Sequence, residues 1–140
     1  MENISEHITY LEAIHSDKAI ELHLDNTPNE QQIASMKLVA ERCFEPLRTW
    51  YGKPLRVLSF FRTPAVNKAV KGSPTSDHPH GCSIDIYAGS KEENLKIFNW
   101  IKANLIFDQL IWENDGAWVH VSFRAGGNRN SVLNLHQIVA

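Results

Sequence analysis

Residues 76–85 read SDHPHGCSID, and this stretch decides how the rest of the chain is interpreted. It places His78 and His80 before Gly81 and ends at Asp85. Imidazole nitrogens and carboxylate oxygens are ligands that zinc accepts in proteins, and glycine permits a tight turn between them. The stretch is therefore a candidate metal-binding loop.

The loop leads into a predicted strand. Polar and apolar side chains alternate here, in the order Ser83, Ile84, Asp85, Ile86 and Tyr87. A period of two is that of a strand whose two faces meet different surroundings. We expect Asp85 to point away from the apolar face.

Residues 107–123 have the pattern of a hairpin around the Asp-Gly dipeptide at 115–116, which is typical of two-residue loops. With such a loop, Glu113 lies opposite Trp118 and shares a face of the sheet with His120. A loop one residue longer or shorter would reverse this arrangement. The hairpin therefore predicts a carboxylate and an imidazole on one polar face.

If the strand of Asp85 lies beside this hairpin, Asp85 and His120 emerge on the same face and His78 approaches from the loop. Two imidazoles and one carboxylate form a catalytic type of zinc set, with a fourth position for a water whose pKa zinc lowers toward about 7. Glu113 could take a proton from that water.

Each residue also has a simpler interpretation. These are a loop histidine for His78, a capping or ion-paired aspartate for Asp85, a partly exposed strand histidine for His120 and a solvated carboxylate for Glu113.

The composition narrows the class of protein. With 140 residues, 43% of them hydrophobic, the chain fits one domain over residues 1–140. The net charge is -2 and the basic residues do not form a stripe, so nucleic acid is not an expected partner. The first thirty residues lack the pattern of a secretory signal, and no apolar run reaches about 18 residues. We therefore expect a protein that is cytoplasmic as synthesised and is not inserted in a membrane. We also expect it to be a monomer. Two cysteines, Cys43 and Cys82, are too few for a disulfide framework.

Helix signals precede the loop. Capping residues Thr9 and Ser16 predict two short helices, and the signal at residues 27–30 predicts a long helix that runs to about Trp50. Residues at helical spacing form its apolar stripe: Ile33, Met36, Val39, Ala40, Cys43, Phe44 and Leu47. This stripe is expected to face the core.

The remaining elements alternate between strand and helix. Residues 55–61 predict a buried first strand, residues 63–70 a short helical turn, and residues 131–135 a last edge strand. Ser90 and Glu93 repeat the capping pattern before a second long helix, whose stripe is Leu95, Phe98, Ile101 and Leu105. The predicted fold class is α+β: an antiparallel sheet of about four or five strands, with helices on its apolar face and the zinc cleft on the other.

These motifs resemble a known family, the zinc D-Ala-D-Ala carboxypeptidases and L-alanyl-D-glutamate endopeptidases of peptidoglycan, whose fold is shared with hedgehog signalling domains. The family pattern Ser-x-His-x2-Gly-x3-Asp matches residues 76–85, and its later Trp-x-His matches residues 118–120. Residues 61–72 and 108–113 are similar to the family segments that precede these motifs. The similarity extends over nearly the whole chain and is to compact, phage-type members.

The resemblance implies one Zn2+ ion with three protein ligands, His78, Asp85 and His120. It also implies that Arg62 holds a substrate carboxylate or steadies the developing oxyanion. Ser76 and Trp118 fall on the substrate side, although Ser76 could equally structure the loop.

The chain departs from the family pattern at Ala117, at residues 59–63 and, by a small change, at Ser83, which stands where alanine is usual. Ala117 stands where many relatives carry the catalytic carboxylate, so Glu113 becomes the candidate general base. Residues 59–63, Ser-Phe-Phe-Arg-Thr, replace the commoner Ser-Gly-Tyr-Arg-Ser, so the pocket near Arg62 is expected to be bulkier. His80 fills a variable position and has at most a minor role as a proton relay.

The resemblance leads us to expect a zinc peptidase that hydrolyses amide bonds in peptidoglycan stem peptides, as a D,D-carboxypeptidase or an L-Ala-D-Glu endopeptidase. Two alternatives remain open. One is a non-catalytic, zinc-binding relative that serves as a phage virion component or wall-binding module, and the other is a zinc peptidase of other small peptides. Without a signal peptide, the protein could reach the wall during phage lysis or as part of a virion.

Overall fold

The computed structural model describes residues 2–134 of the chain. Its α-helices are α1 (Tyr10–Ile14), α2 (Asp17–Glu21), α3 (Glu30–Val39), α4 (Glu45–Tyr51), α5 (Pro64–Ala69) and α6 (Lys91–Asn104). Its strands are β1 (Arg56–Ser59), β2 (Ser83–Tyr87), β3 (Gln109–Glu113), β4 (Trp118–Ser122) and β5 (Ser131–Asn134). The α+β class is therefore confirmed. None of the described helices is both long and apolar enough to cross a membrane.

The strands form one mixed sheet in the order β1-β2-β4-β3-β5. The first four pair antiparallel, as predicted, whereas β5 is added in parallel beside β3. The parallel pairing arises because the chain after β4 returns to the start of β3, where the amide of Asn130 donates to the carbonyl of Phe107 at 2.8 Å. The predicted last strand is found at Ser131–Asn134, and Leu135 lies outside the described residues.

The helices cover the apolar face of the sheet. Buried side chains of the three central strands include Ile84, Ile86, Leu110, Trp112, Val119 and Val121. They join one cluster with the buried helix residues Met36, Val39, Ala40, Cys43, Phe44, Leu47, Ile97 and Ile101. This cluster confirms the predicted stripe of the first long helix, in which Ile33 is partly buried at the margin.

The first strand differs from its prediction. β1 is four residues long, lies at the edge of the sheet and has no fully buried residue. The apolar signal that suggested a buried strand came from Phe60 and Phe61, which are buried but follow β1. There the chain leaves the sheet, and the amide of Phe61 donates to the carbonyl of Ala13 in α1 at 3.0 Å. The prediction of a strand within residues 55–61 is therefore confirmed at Arg56–Ser59, whereas the prediction that this strand is buried was wrong.

The long helix begins two residues later than its signal suggested. Asn29, not Thr27, is the capping residue, and its side chain forms a reciprocal capping box with Gln32. Thr27 instead turns back to Asp25, whose carboxylate accepts from the Thr27 amide at 3.0 Å. A π-helical turn over residues 40–44 separates α3 from α4. Pro46 follows this turn in α4, and its missing N–H cannot complete a regular helical hydrogen bond.

The second long helix, α6, starts as predicted, and Phe98, Ile101 and Leu105 of its predicted stripe pack in or against the core. The Ser90 hydroxyl accepts from the amide of Glu93 at 3.1 Å. The buried residues of α6 are Asn94, Ile97, Phe98 and Ile101. Leu95 is 47% exposed, so its predicted place in the core was wrong. The polar Asn94 takes the buried position because its side chain bonds to backbone groups of neighbouring elements.

Candidate metal centre

The predicted hairpin register is confirmed and places the site at the centre of the sheet. Glu113 pairs with Trp118 and Ile111 pairs with His120 between β3 and β4. On the other side of β4, Asp85 of β2 lies directly opposite His120. Directly opposed residues of an antiparallel pair project to the same face. Asp85, His120 and Glu113 therefore share the face that the sequence analysis assigned to the chemistry.

His78 reaches this face from a 3-10 turn at residues 78–80, just before β2. Its Nδ1 lies 2.7 Å from the carbonyl oxygen of Phe60. A carbonyl can only accept, so Nδ1 carries a proton, and Nε2 is the nitrogen that remains available to a metal ion. Nε2 lies 3.2 Å from Oδ2 of Asp85. The ring is thus oriented by the backbone, with its Nε2, the candidate ligand atom, turned toward the carboxylate.

The three predicted ligands meet in one buried group. Ligand atoms of His78, Asp85 and His120 lie within 4.8 Å of one another, and Nδ1 of His120 is 2.8 Å from Oδ1 of Asp85. Ligands of one tetrahedral zinc ion are about 3.3 Å apart. The residues are only 1%, 7% and 9% exposed, respectively. Both the spacing and the donor set of two imidazoles and one carboxylate fit a single zinc ion.

The charges within this group are coupled. Burial by itself would raise the pKa of Asp85, but the neighbouring His78 and His120 hold that pKa well below its usual range. Burial likewise would lower the pKa of His120, yet its hydrogen bond to Asp85 and the charge of that carboxylate raise it overall. Asp85 is therefore ionised at neutral pH, which is the form that binds a metal ion.

Arg62 and Glu113 supply opposite charges beside the ligands. Burial lowers the pKa of Arg62, while the carboxylates of Asp85 and Glu113 act in the opposite sense. Its Nε is buried and has no hydrogen-bond partner within residues 2–134. Burial also raises the pKa of Glu113, and the nearby charges include those of His120 and Asp85. The site thus contains an unused guanidinium N–H and a carboxylate with an increased affinity for protons.

The remaining predicted residues have different surroundings. The hydroxyl of Ser76 accepts from the amide of His78 at 3.1 Å, so it structures the loop. Trp118 is half-buried at the start of β4, directly opposite Glu113. His80 is exposed and does not belong to the group of candidate ligands. Ala117 is exposed in the turn between β3 and β4.

Asn26 was not identified from the sequence. It is 9% exposed and contacts the backbone on both sides of Arg62. Its side-chain amide donates to the carbonyl of Phe61 at 3.1 Å and accepts from the amide of Thr63 at 2.9 Å. An asparagine in the loop between α2 and α3 has many possible roles, so only the tertiary fold could reveal that it holds the Arg62 segment.

Comparison with known proteins identifies the family. A family model described as Peptidase M15 matches residues 6–122, which include every candidate ligand and both charged neighbours. A search of the curated proteins finds no match. The matched range is most of the chain and agrees with the span of the resemblance described above.

Proposed function

Because the chain belongs to the peptidase M15 family, whose members are zinc-dependent metallopeptidases, we propose that it hydrolyses amide bonds in the stem peptides of peptidoglycan. The observation that carries this proposal is the buried group of His78, Asp85 and His120, with Arg62 and Glu113 beside it. Such a donor set is typical of catalytic zinc sites, which bind the metal through three protein ligands.

His78, Asp85 and His120 would hold the ion. When bound in such a site, zinc acts as a Lewis acid toward a carbonyl and lowers the pKa of water. The hydrogen bond between Nδ1 of His78 and the Phe60 carbonyl fixes which nitrogen faces the site. Burial of all three residues excludes bulk water and strengthens their electrostatic interactions.

Glu113 is our candidate general base. In this role its carboxylate takes a proton from the attacking water and passes it to the nitrogen of the leaving amine. Burial raises the pKa of Glu113, and a carboxylate with a raised pKa is a stronger proton acceptor. Its position opposite Trp118 puts it on the same face of the sheet as His120.

Arg62 is our candidate for charge stabilisation and substrate binding. The planar guanidinium offers several N–H groups in a fixed geometry that suits a carboxylate or a developing oxyanion. Its Nε already lies buried without a partner, so a substrate oxygen could satisfy it. The backbone amide of Arg62 donates to the carbonyl of His78 at 3.4 Å, which links the position of this cation to the candidate metal loop.

The proposal is tested by incubating purified peptidoglycan with the wild-type protein and with His78→Ala, and by analysing the released fragments by mass spectrometry. Zinc content is measured for both proteins. We expect stem-peptide cleavage and bound zinc only with the wild type. Defined peptides ending in D-Ala-D-Ala or containing L-Ala-D-Glu then distinguish carboxypeptidase from endopeptidase activity. Wild-type protein that binds zinc and cleaves only unrelated small peptides would contradict the proposed substrate.

One departure supports a second candidate, a non-catalytic wall-binding relative. Ala117 lacks the carboxylate that the resemblance leads us to expect three residues before His120. Under this hypothesis the metal group stabilises the fold while the protein binds the wall or serves in a virion. Zinc binding and sedimentation with peptidoglycan, without any released fragment, would favour it over the peptidase.

A further inference from the structure

Four charged side chains connect the candidate metal loop to the far end of β4. Nη2 of Arg124 lies 3.0 Å from Oδ1 and 3.4 Å from Oδ2 of Asp77, the residue immediately before His78. Nε of Arg124 also lies 3.4 Å from Oδ2 of Asp108. Both aspartates are buried, with exposures of 8% and 0%. Arg124 therefore bridges two buried carboxylates from different parts of the chain.

The backbone of Arg124 is held in place by hydrogen bonds to a nearby residue. The backbone amide of Arg124 donates to the side chain of Asn128 at 2.9 Å, and the Asn128 amide group donates back to the Arg124 carbonyl at 2.9 Å. Arg129 binds Asp108 through two hydrogen bonds of 2.9 Å. Asp108 is thus already paired with Arg129. The contact between Arg124 and Asp77 is a separate interaction that does not neutralise Asp108.

Asp77 in turn holds the shape of the loop. Its carbonyl accepts from the amides of His80 and Cys82, each at 3.1 Å, which closes the turn around His78. The carbonyl of Cys82 accepts from the amide of Phe123 at 2.9 Å, so the end of the loop is attached beside Arg124. A shift of Asp77 would move the backbone that carries the His78 ring.

We propose that Arg124 is a positioning residue for the metal centre, which holds Asp77 and through it keeps His78 in register with the strand that carries His120. This inference rests on the proposed zinc site. The charge-assisted contacts are made by a guanidinium with two fixed donors aimed at two acceptors. Residues that orient metal ligands without touching the metal commonly contribute to its affinity. Arg124 would join this class although it belongs to neither of the two motifs that predict the ligands.

The test compares Arg124→Met with Arg129→Met in the full chain. Both variants keep a long side chain and remove one cation from Asp108, but only the first removes the contact with Asp77. Zinc affinity is measured by competition with a chromophoric chelator, and the stability of the metal-free proteins by urea unfolding. We expect Arg124→Met to weaken zinc binding by about tenfold or more, and Arg129→Met to change it by no more than about twofold. Asp77→Asn should weaken binding as Arg124→Met does, and it replaces that variant if Arg124→Met does not fold.

The outcomes separate this inference from the proposed function. Wild-type protein that does not bind zinc contradicts the metal centre itself. Wild-type zinc affinity in folded Arg124→Met or in Asp77→Asn contradicts the positioning role alone. An equal loss of affinity in Arg129→Met would also overturn it, because the effect would then follow general stability. If the double variant Arg124→Met with Asp77→Asn loses no more zinc affinity than Arg124→Met alone, this would support a contact shared by the two residues.

Discussion

His78 and His80 are two residues apart, yet their side chains have different surroundings. His78 is 1% exposed and its ring meets the carbonyl of Phe60, whereas His80 is exposed. A 3-10 turn rotates successive residues by about 120°, so residues two apart face different directions. The partner of His78 is a backbone group eighteen positions earlier in the chain. Because a carbonyl leaves no mark in the sequence, local pattern alone could not choose between the two histidines, and the choice required the family resemblance.

A prediction at the residue scale concerns Glu113→Gln. The substitution preserves size and removes the proton acceptor, so turnover should fall by about a hundredfold or more. Zinc content and the urea midpoint should stay close to those of the wild type, because Glu113 is not one of the candidate ligands. The matched control is Asp115→Asn, which changes an exposed acid in the adjacent turn and should leave turnover unchanged. Full activity of Glu113→Gln would exclude it as the base.

A second prediction concerns the glycine of the loop. Gly81 has a φ of 73°, and a Cβ atom there would lie 2.6 Å from the carbonyl oxygen of Gln32 in α3. Gly52 has nearly the same φ of 72°, but apart from its chain neighbours no atom of residues 2–134 would lie within 4 Å of a Cβ atom there. Gly52→Ala should therefore cost about 1 kcal/mol from the left-handed conformation alone, and Gly81→Ala about 3 kcal/mol because the loop must also move. Urea unfolding of both variants measures the difference, and equal losses would show that the contact with α3 is unimportant.

At the scale of elements, the hairpin was predicted correctly despite an unexpected turn. The predicted loop was the Asp-Gly pair, but left-handed φ angles extend over three residues, Asn114, Asp115 and Gly116. The pairing of Glu113 with Trp118 is nevertheless as predicted. The register survives because an even number of residues, 114–117, separates the paired positions in both versions. A shift by one residue would have placed His120 among the helices.

The error in the predicted stripe of α6 has a physical cause. The helix stripe of α6 was assigned by hydrophobicity, which favours Leu95 over Asn94. In the structure, Asn94 is fully buried and about half of the Leu95 side chain is exposed. A buried amide is stable only when it satisfies its hydrogen bonds, and its partners belong to other elements. Tertiary partners of this kind are not visible in the periodicity of a helix.

A third prediction follows for that asparagine. Asn94 accepts from the amide of Ala88 at 2.8 Å and donates to the carbonyl of Gly116 at 2.9 Å, so it ties α6 to β2 and to the hairpin turn. Asn94→Ala leaves these buried backbone groups unpaired and should lower the free energy of unfolding by about 3 kcal/mol. Asn104→Ala, at the exposed end of the same helix, should change it by less than about 0.5 kcal/mol. Chemical denaturation provides the measurement, and similar small effects would contradict the role of Asn94.

At the scale of the whole molecule, the sheet order explains why ligands distant in sequence meet. Asp85 and His120 are 35 residues apart but are cross-strand neighbours, because β2 pairs with β4 rather than with its sequence neighbour β3. The alternation of each strand predicted which side chains share a face. It could not predict which strands lie side by side. The sequence analysis therefore had to assume that the strand of Asp85 lies beside the hairpin, and the pairing of β2 with β4 confirms that assumption. The link from Arg124 to Asp77 had no sequence signal at all.

Metal binding should also stabilise the molecule as a whole. A ligand present at a hundred times its Kd stabilises the folded state by about 2.7 kcal/mol, which corresponds to a rise in Tm of roughly 8 °C for a chain of this size. We expect zinc to produce such a rise, a chelator to reverse it, and His78→Ala to abolish it.

The size of the rise should depend on pH. Asp85 raises the pKa of His120 in the folded state, so protonated His120 stabilises the metal-free protein below the usual histidine pKa, and this contribution is lost as the pH rises through the folded value. Zinc binds only the unprotonated ring, so its stabilising effect should grow between about pH 6 and about pH 8. Thermal unfolding with and without zinc across this range tests the prediction, and a rise in Tm that is independent of pH would show that zinc binds elsewhere than at His78, Asp85 and His120.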